Sequence, residues 1–568
     1  MSEAQATGEA VEAKRAGRAR VGAMVLLALA CAWIVAARIP LVLNAPAHLD
    51  SDMAVDGLTL LDATRGHWRW HYPGTPHIGI VPVVFSLPQA LVWGANPWTL
   101  ASGGVVAYLF VVVSIFTLAW RVFGRRVACW TLLPLVFAST GVVWLSARIT
   151  GGHLLAVAWT AVSLILLVAY AQRPTWWRAA ILGLWAGVGF YVDNLTLVAI
   201  AAIFCGFSTA AFTQEPLPDA SGRVRAGPYF LRALFQIVVG IAAVVAGIQL
   251  QTLGKRADPY DAYGEQFESI FHSDSPQRQD LATVGKLAQE HARLLFLECL
   301  PRLVAGHRLP GLQTNPTPEA FLGHNPPRDP PVWTPLAIAA TVLSLVVSVI
   351  GVGCLFRAPR VREACRARSL AARRAFAAPS WFMLLFYPIG FILNKHIYNS
   401  DNYRYLVILI IPISIGVGLW FERFWGRGGW WRGWALAGAV LFAVLMTFDL
   451  WTWYGGRFGW VDARGLPVRA RVDEPILEWL SANPEYDEIF ANYWDIYRLR
   501  FLTGGRVGGV PYKNYPDRFD ERRHLPNERP RTLVGRRDGM GAFYRQQALR
   551  AGGRVIHEQP EFWVIDWP

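Results

Sequence analysis

The stretch VVAYLFVVVSIFTLAW, residues 105–120, contains no charged side chain. With its flanks it reaches the roughly 20 apolar residues that an α-helix needs to cross about 30 Å of hydrocarbon. Leu154–Ala171, Ile237–Leu250 and Leu336–Phe356 repeat the pattern, each free of charge. Composition agrees. Of 568 residues, 54% are hydrophobic and only 17% charged, too apolar a balance for an ordinary soluble domain. The chain reads as mainly α, a polytopic helical membrane protein.

Working outward from these runs, eleven spans are expected. They fall at about residues 21–43, 98–120, 127–146, 152–171, 178–192, 195–213, 229–249, 332–356, 380–395, 405–421 and 433–450. Basic residues alternate between the connections. The N-terminal tail, residues 1–20, carries Lys14, Arg15, Arg18 and Arg20. Arg121, Arg125 and Arg126 fill the second connection, Arg173 and Arg178 the fourth, and Arg223 and Arg225 the sixth. The eighth holds seven arginines between Arg357 and Arg374, and the tenth has Arg423, Arg427 and Arg432. The short odd-numbered loops are nearly bare of Lys and Arg. Positive charge stays on the cytoplasmic side of a membrane, so the N-terminus is expected inside and the C-terminus outside. The first span lacks a clear small-x-small cleavage site and reads as a retained anchor.

The net charge of +14 is thus a topology signal. It is not gathered on one soluble face, and no nucleic-acid partner is expected. The six cysteines, Cys31, Cys129, Cys205, Cys299, Cys354 and Cys365, match no zinc or redox spacing and read as small apolar side chains.

Two outside loops are long, 44–97 and 250–331 within the membrane domain 21–450, and both are rich in Pro, His, Asp and aromatic residues. In the first, Ala54–Arg65 has helical apolar spacing, and Ile78–Trp93 is apolar but broken by Pro82 and Pro88. Helices lying in the membrane interface are expected there. In the second, Leu281–Val304 reads as an amphipathic helix ended by Gly306. The tail, 451–568, changes character. Helices are expected at Glu474–Ser481, Trp494–Phe501 and Ala542–Leu549, and strands at Glu488–Ala491, Arg506–Val510, Arg531–Val534, Arg554–His557 and Phe562–Asp566. That alternation predicts a small extracytoplasmic α/β domain. No phosphate-cradling glycine motif lies at any of its strand-to-helix turns.

Chemistry concentrates in the first loop. Asp50-Ser51-Asp52 follows the first span, with Asp56 and Asp62 beyond it. A carboxylate at the membrane edge serves as a general base toward a hydroxyl, and it is equally an ordinary solvated loop acid. Asp56 and Asp62 read as polar positions on the interfacial helix. Arg404 stands at the outer end of a span. There its guanidinium either binds a lipid phosphate with a bidentate fork or snorkels to the headgroups as an anchor. Lys395 and His396 are further phosphate candidates. His48, His67, His71, His77 and His153 fall in outside loops. With Asp50 and Asp52 they would make a divalent-metal site, but no compact ligand spacing appears among them, and packing is the preferred reading. Trp68, Trp70 and Tyr72 are either sugar-stacking rings or interfacial aromatics.

The run His48-Leu49-Asp50-Ser51-Asp52-Met53-Ala54-Val55-Asp56-Gly57-Leu58 resembles the first-loop signature of the GT-C glycosyltransferases. That superfamily includes the protein O-mannosyltransferases and the lipid A aminoarabinose transferase. Asp52 takes the position of the family's catalytic Asp, and Met53 stands where Glu is usual. Arg65-Gly66-His67 and Pro76-His77-Ile78-Gly79 are similar to the next two segments, except that Ile80-Val81-Pro82 replaces the acid that often follows. Arg148-Ile149-Thr150-Gly151-Gly152-His153 resembles the family's Arg-x-x-Gly-Gly-Tyr loop. Gly187 through Asn194 resembles its fifth-span ending. Asp401-Asn402-Tyr403-Arg404-Tyr405-Leu406 resembles its Arg-Tyr-Leu opening of a late span. Asn492-Tyr493-Trp494 through Tyr497-Arg498 and Phe501-Leu502-Thr503-Gly504 are similar to the tail of bacterial members. The ordered set covers nearly the whole chain.

The resemblance implies an inverting glycosyltransferase in the bacterial plasma membrane. Its donor would be a polyprenyl-phosphate sugar and its acceptor a lipid, glycan or protein hydroxyl. Asp52 would be the base and Asp50 its companion. Arg404, Lys395 and Tyr405 would bind the donor phosphate, and His77, Arg148 and His153 the substrates. No cofactor is required by this reading, although a divalent metal is compatible with it. Two other classes remain. A transporter or flippase of lipid-linked sugars would place ionisable groups near the midplane in two repeats, whereas these spans are nearly charge-free and unrepeated. A non-catalytic assembly protein would tolerate loss of the first-loop acids.

Overall fold

A computed structural model describes residues 3–148, 151–212, 226–262, 270, 281–305, 335–357, 367–469, 475–512, 517–519, 532–537 and 539–566. Gly306, Cys365, Ile149 and Thr150 lie outside these residues. Among the described residues eight helices are long and apolar enough to cross a membrane: Gly17–Leu43, Pro97–Phe123, His153–Gln172, Phe230–Ala257, Ile338–Leu355, Leu370–Leu393, Ser400–Gly426 and Trp430–Gly456. Each coincides with an expected span. The chain is a multi-pass helical membrane protein.

The other three expected spans are shorter helices. Trp176–Val192 and Thr196–Phe212 have 17 residues each, about 26 Å at 1.5 Å per residue. The segment expected at 127–146 is not one helix. Arg125–Val136 ends, and Thr140–Leu145 begins anew. Ser139 makes the break, since its Oγ accepts from Val142 N (3.2 Å) and donates to the Leu303 carbonyl (2.8 Å). The hydroxyl caps a new helix instead of continuing the old one.

Small residues set the closest helix crossing. A Cβ on Gly183 would stand 2.3 Å from the Gly240 carbonyl, and one on Gly187 2.2 Å from that of Val244. Without a hydrophobic drive between helices in lipid, such backbone contact supplies the attraction. Beside it, Trp159 and Trp185 stack at 3.8 Å, and each indole N–H donates to the other's carbonyl (2.7 and 3.3 Å).

The first loop contains a helix, Ser51–Thr64, a two-stranded antiparallel hairpin of β1 (His71–Tyr72) and β2 (Thr75–Gly79), and a helix Val81–Trp93 with Pro88 inside it. The sequence reading left the hairpin out, because strands this short carry no periodicity. The second long loop supplies Leu281–Leu294, which a π-turn at Leu295–Cys299 joins to Leu300–Ala305.

The last apolar helix runs past residue 450 into a π-turn, Trp453–Phe458, that stays on the bundle. Tyr454 donates to the Ala37 carbonyl at 2.9 Å, and Phe458 and Trp460 stack with each other and with Trp144. The tail's first α/β element is the helix Pro475–Ala482. Its sheet contains β3 (Glu488–Ala491), β4 (Gly508–Pro511), β5 (Thr532–Arg536), β6 (Arg554–Glu558) and β7 (Phe562–Asp566), in the order β4-β3-β5-β7-β6. β3 pairs parallel with β4 and β5, and β7 antiparallel with β5 and β6. The helix Tyr493–Leu502 follows β3.

The first-loop helix does not merely lie in the interface. Its Met53, Ala54, Val55 and Leu58 share one core with Ile489, Tyr493, Ile496, Tyr497 and Phe501 of the tail. Gly57 makes the crossing possible, because a Cβ there would lie 2.5 Å from the buried Phe501 ring. In a free helix Gly→Ala gains about 1 kcal/mol, whereas overpacking a filled site costs about 1–3 kcal/mol. Gly57→Ala is therefore expected to lower the unfolding temperature of the detergent-solubilised protein. A raised temperature would refute this docking.

Candidate active site

Asp50 starts the first-loop helix. Its carboxylate accepts from the Met53 N–H at 2.8 Å and pairs through its other oxygen with Arg148. The Arg148 guanidinium lies 4.6 Å over Trp144. The pair ties the loop around 148 to the helix start, and Asp50 is buried in doing so.

Asp52, in the first turn, is more open, its side chain about a quarter exposed. Tyr493 Oη donates to its Oδ1 at 3.1 Å, and Arg518 Nη2 lies 3.6 Å from the same oxygen. Among the described residues Oδ2 receives no hydrogen bond. Tyr72 Oη donates to the Asp52 carbonyl (2.9 Å). Arg518 is itself held. Its Nε donates to Tyr493 Oη (2.9 Å), its Nη1 to Thr75 Oγ1, and its backbone N–H to Tyr497 Oη (2.7 Å). Hairpin and tail domain together enclose the carboxylate.

Asp56 stands one turn on, and residues four apart share a helix face. It is fully buried. The Gly151 backbone N–H stands beside its carboxyl and favours the charged form, and Oδ2 has no partner among the described residues. Burial, and after it the neighbouring Asp52, push its pKa well above the usual carboxylate range. Asp56 is thus a buried acid beside Asp52, not a solvated surface position. Asp62 is surface-bound, 3.4 Å from Arg69.

Gly151, with φ +61°, turns the chain into the helix that opens with His153. A Cβ on Gly152 would come within 2.2 Å of the Val192 carbonyl. This close approach brings His153 to Asp193, with Nδ1 2.7 Å from Oδ2. The His153 ring meets Tyr405 edge-on at 5.5 Å. The Arg404 guanidinium lies 5.4 Å from that ring and interacts electrostatically with Tyr405, Asp52 and Asp401. Its Nε has no partner among the described residues.

Asp50, Arg148, Asp52, His153, Tyr405 and Arg404 are thereby linked at one end of the bundle. Lys395 is half-buried on the turn before residue 400. Of His77 only the backbone, in β2, is described. His48 is buried behind the site between Trp144 and Trp460, its Nε2 2.9 Å from the Leu41 carbonyl. Burial, then Arg148, lowers its pKa to about 3. His71 packs on Tyr191, and Trp68 and Trp70 are exposed. Among the described residues no three His, Cys, Asp or Glu side chains gather to hold a metal, and Asp50 and Asp52 each face a guanidinium. Sequence reasoning missed Thr75, Asp193 and Arg518 as site residues. Arg518 stands amid many tail arginines, and only its tertiary neighbours single it out.

No family model matches the sequence, and no curated protein is similar to it by sequence. Solved structures are similar. ArnT from Cupriavidus metallidurans bound to undecaprenyl phosphate superposes with a TM-score of 0.53 at 12% identity, over 95% of this chain and 97% of that one. Its apo state gives 0.51 at 12%, over 96% and 98%. The fold is GT-C. The match covers the membrane helices and the tail together.

Proposed function

We propose that the chain is an inverting glycosyltransferase that moves a sugar from a polyprenyl-phosphate donor to a hydroxyl at the outer face of a bacterial plasma membrane. The N-terminus would lie in the cytoplasm and the tail domain outside, as the alternation of basic loops supports. The observation that carries the reading is the convergence of two groups at one end of the bundle: Asp52, with Oδ2 unused, and Arg404, at the start of an apolar helix. Fold likeness alone would not decide chemistry.

In this reading Tyr493 and Arg518 hold Oδ1, so Oδ2 is the oxygen that takes the acceptor's proton as the acceptor attacks the anomeric carbon. Inversion needs one displacement and no covalent enzyme intermediate. Arg404, beside Tyr405, meets the phosphate whose charge grows as the bond breaks. Asp50 and Arg148 position the helix that bears Asp52. The acceptor is a lipid, a glycan or a protein.

The purified protein, offered a panel of polyprenyl-phosphate hexoses and pentoses with membrane-extract acceptors, is expected to release free polyprenyl phosphate. No release and no donor binding across the panel would remove the transferase reading and favour a transport assay.

A further inference from the structure

The His153–Asp193 pair is built like an oriented acid–base group, and the mechanism so far leaves it idle. Asp193 is buried, and both its oxygens are engaged, Oδ1 by the Leu195 N–H at 2.8 Å and Oδ2 by His153 Nδ1 at 2.7 Å. A ring nitrogen bonded to a fixed carboxylate is the N–H nitrogen, which leaves Nε2 for chemistry. The Nε2 side faces the site. It lies 3.8 Å from where a Cβ on Gly151 would stand, and the Gly151 N–H stands beside Asp56, one turn from Asp52. The ring also meets Tyr405, whose other neighbour is the Arg404 guanidinium at 5.4 Å. The imidazole thus stands between the carboxylates of the first-loop helix and the guanidinium of the late span. Its side chain is 12% exposed, accessible yet sheltered.

Resting on the transferase reading, we infer that His153 is a further catalytic residue, the acid that hydrogen-bonds and protonates the departing polyprenyl phosphate, with Asp193 as its positioning residue. Such a group assists the cleavage. Cleavage sends the electron pair of the anomeric C–O bond to a phosphate oxygen, which gains a negative charge. Arg404 stabilises that charge but cannot release a proton. An imidazolium satisfies the carboxylate at Nδ1 and the phosphate oxygen at Nε2, donating to both. As Asp52 takes the acceptor proton and the new C–O bond forms, Nε2 delivers its proton to the leaving oxygen. The products are the glycosylated acceptor and polyprenyl hydrogen phosphate. The proton on Asp52 then returns to the imidazole through water, and the enzyme is reset.

Wild-type release of polyprenyl phosphate is established first, so that failure of the transferase reading is separated from failure of this one. His153→Gln, Asp193→Asn and His153→Ala are then compared with wild type in the full-length protein. His153→Gln is expected to lower kcat about 100-fold while polyprenyl-phosphate-sugar binding stays near wild type. Asp193→Asn, which keeps the shape, is expected to lower kcat in the same direction by a smaller factor. Added imidazole is expected to restore part of the turnover of His153→Ala and none of that of Asp52→Asn, a response that a packing role would not give. A folded His153→Gln with wild-type kcat overturns the inference. So does a His153→Ala defect that lies wholly in donor binding and ignores imidazole.

Discussion

Asp52→Asn is expected to lower turnover by about 100- to 10,000-fold, the usual contribution of a positioned general base. The change is close to isosteric. The amide oxygen still accepts from Tyr493, which holds Oδ1 at 3.1 Å, so the first turn of the helix and the tail contact keep their geometry. Only the proton acceptor is lost. Donor binding should then change little, because the base acts on the acceptor and not on the phosphate. Turnover and donor affinity, measured on the same preparation, separate the two effects. Undiminished turnover would remove Asp52 as the base and return it to the class of loop acids with a structural role.

Arg404→Ala is expected to lower kcat/KM by about 100- to 1,000-fold, in the range seen when one charge-stabilising group leaves a sheltered site. The argument is geometric. Arg404 opens the apolar helix Ser400–Gly426, has its guanidinium 5.4 Å from the Tyr405 ring, and carries a buried Nε that lacks a partner among the described residues. A guanidinium so held presents its fork in one direction. Arg404→Lys should recover only part of the loss, since a lysine keeps the charge and not the bidentate geometry. An anchor that merely snorkels to headgroups would behave otherwise. Its removal would change stability, and kinetics with a soluble donor analogue would stay near wild type.

In the proposed reading the two variants report on opposite halves of one displacement. Asp52 stands among first-loop and tail residues, Arg404 in a late span, and Asp56, Gly151, His153 and Tyr405 bridge them. The tail is part of this arrangement. Tyr493 and Arg518 touch Asp52 directly, and a Gly57–Phe501 crossing docks the domain on the helix that bears it.

Much of this was legible in the residues. Charge-free runs of membrane length are a local property, so the apolar helices follow from solvation alone: a backbone without water must bond within its own segment. The tail's strands and helices were readable for a similar reason, through short alternating runs closed by turn residues. The Asp50-Ser51-Asp52 cluster stood out by its position at the end of an apolar helix.

Other features depend on what meets what. Ser139 breaks an apolar run that looks continuous, because the Leu303 carbonyl, distant in sequence, takes its hydroxyl proton. Asp56 reads as a surface acid until the Gly151 loop and the tail domain bury it. Arg518 and Asp193 were invisible for the same cause, since a charged residue in a loop has no periodicity and gains meaning only from its partner. Solvation along the chain determined the membrane helices, the tail and the place to look for chemistry. Tertiary contacts alone decided which carboxylate is open, which is buried, and which histidine has an aspartate behind it. Hydrophobic burial repeats with helical or strand spacing, whereas a hydrogen bond between distant residues leaves no pattern in the sequence.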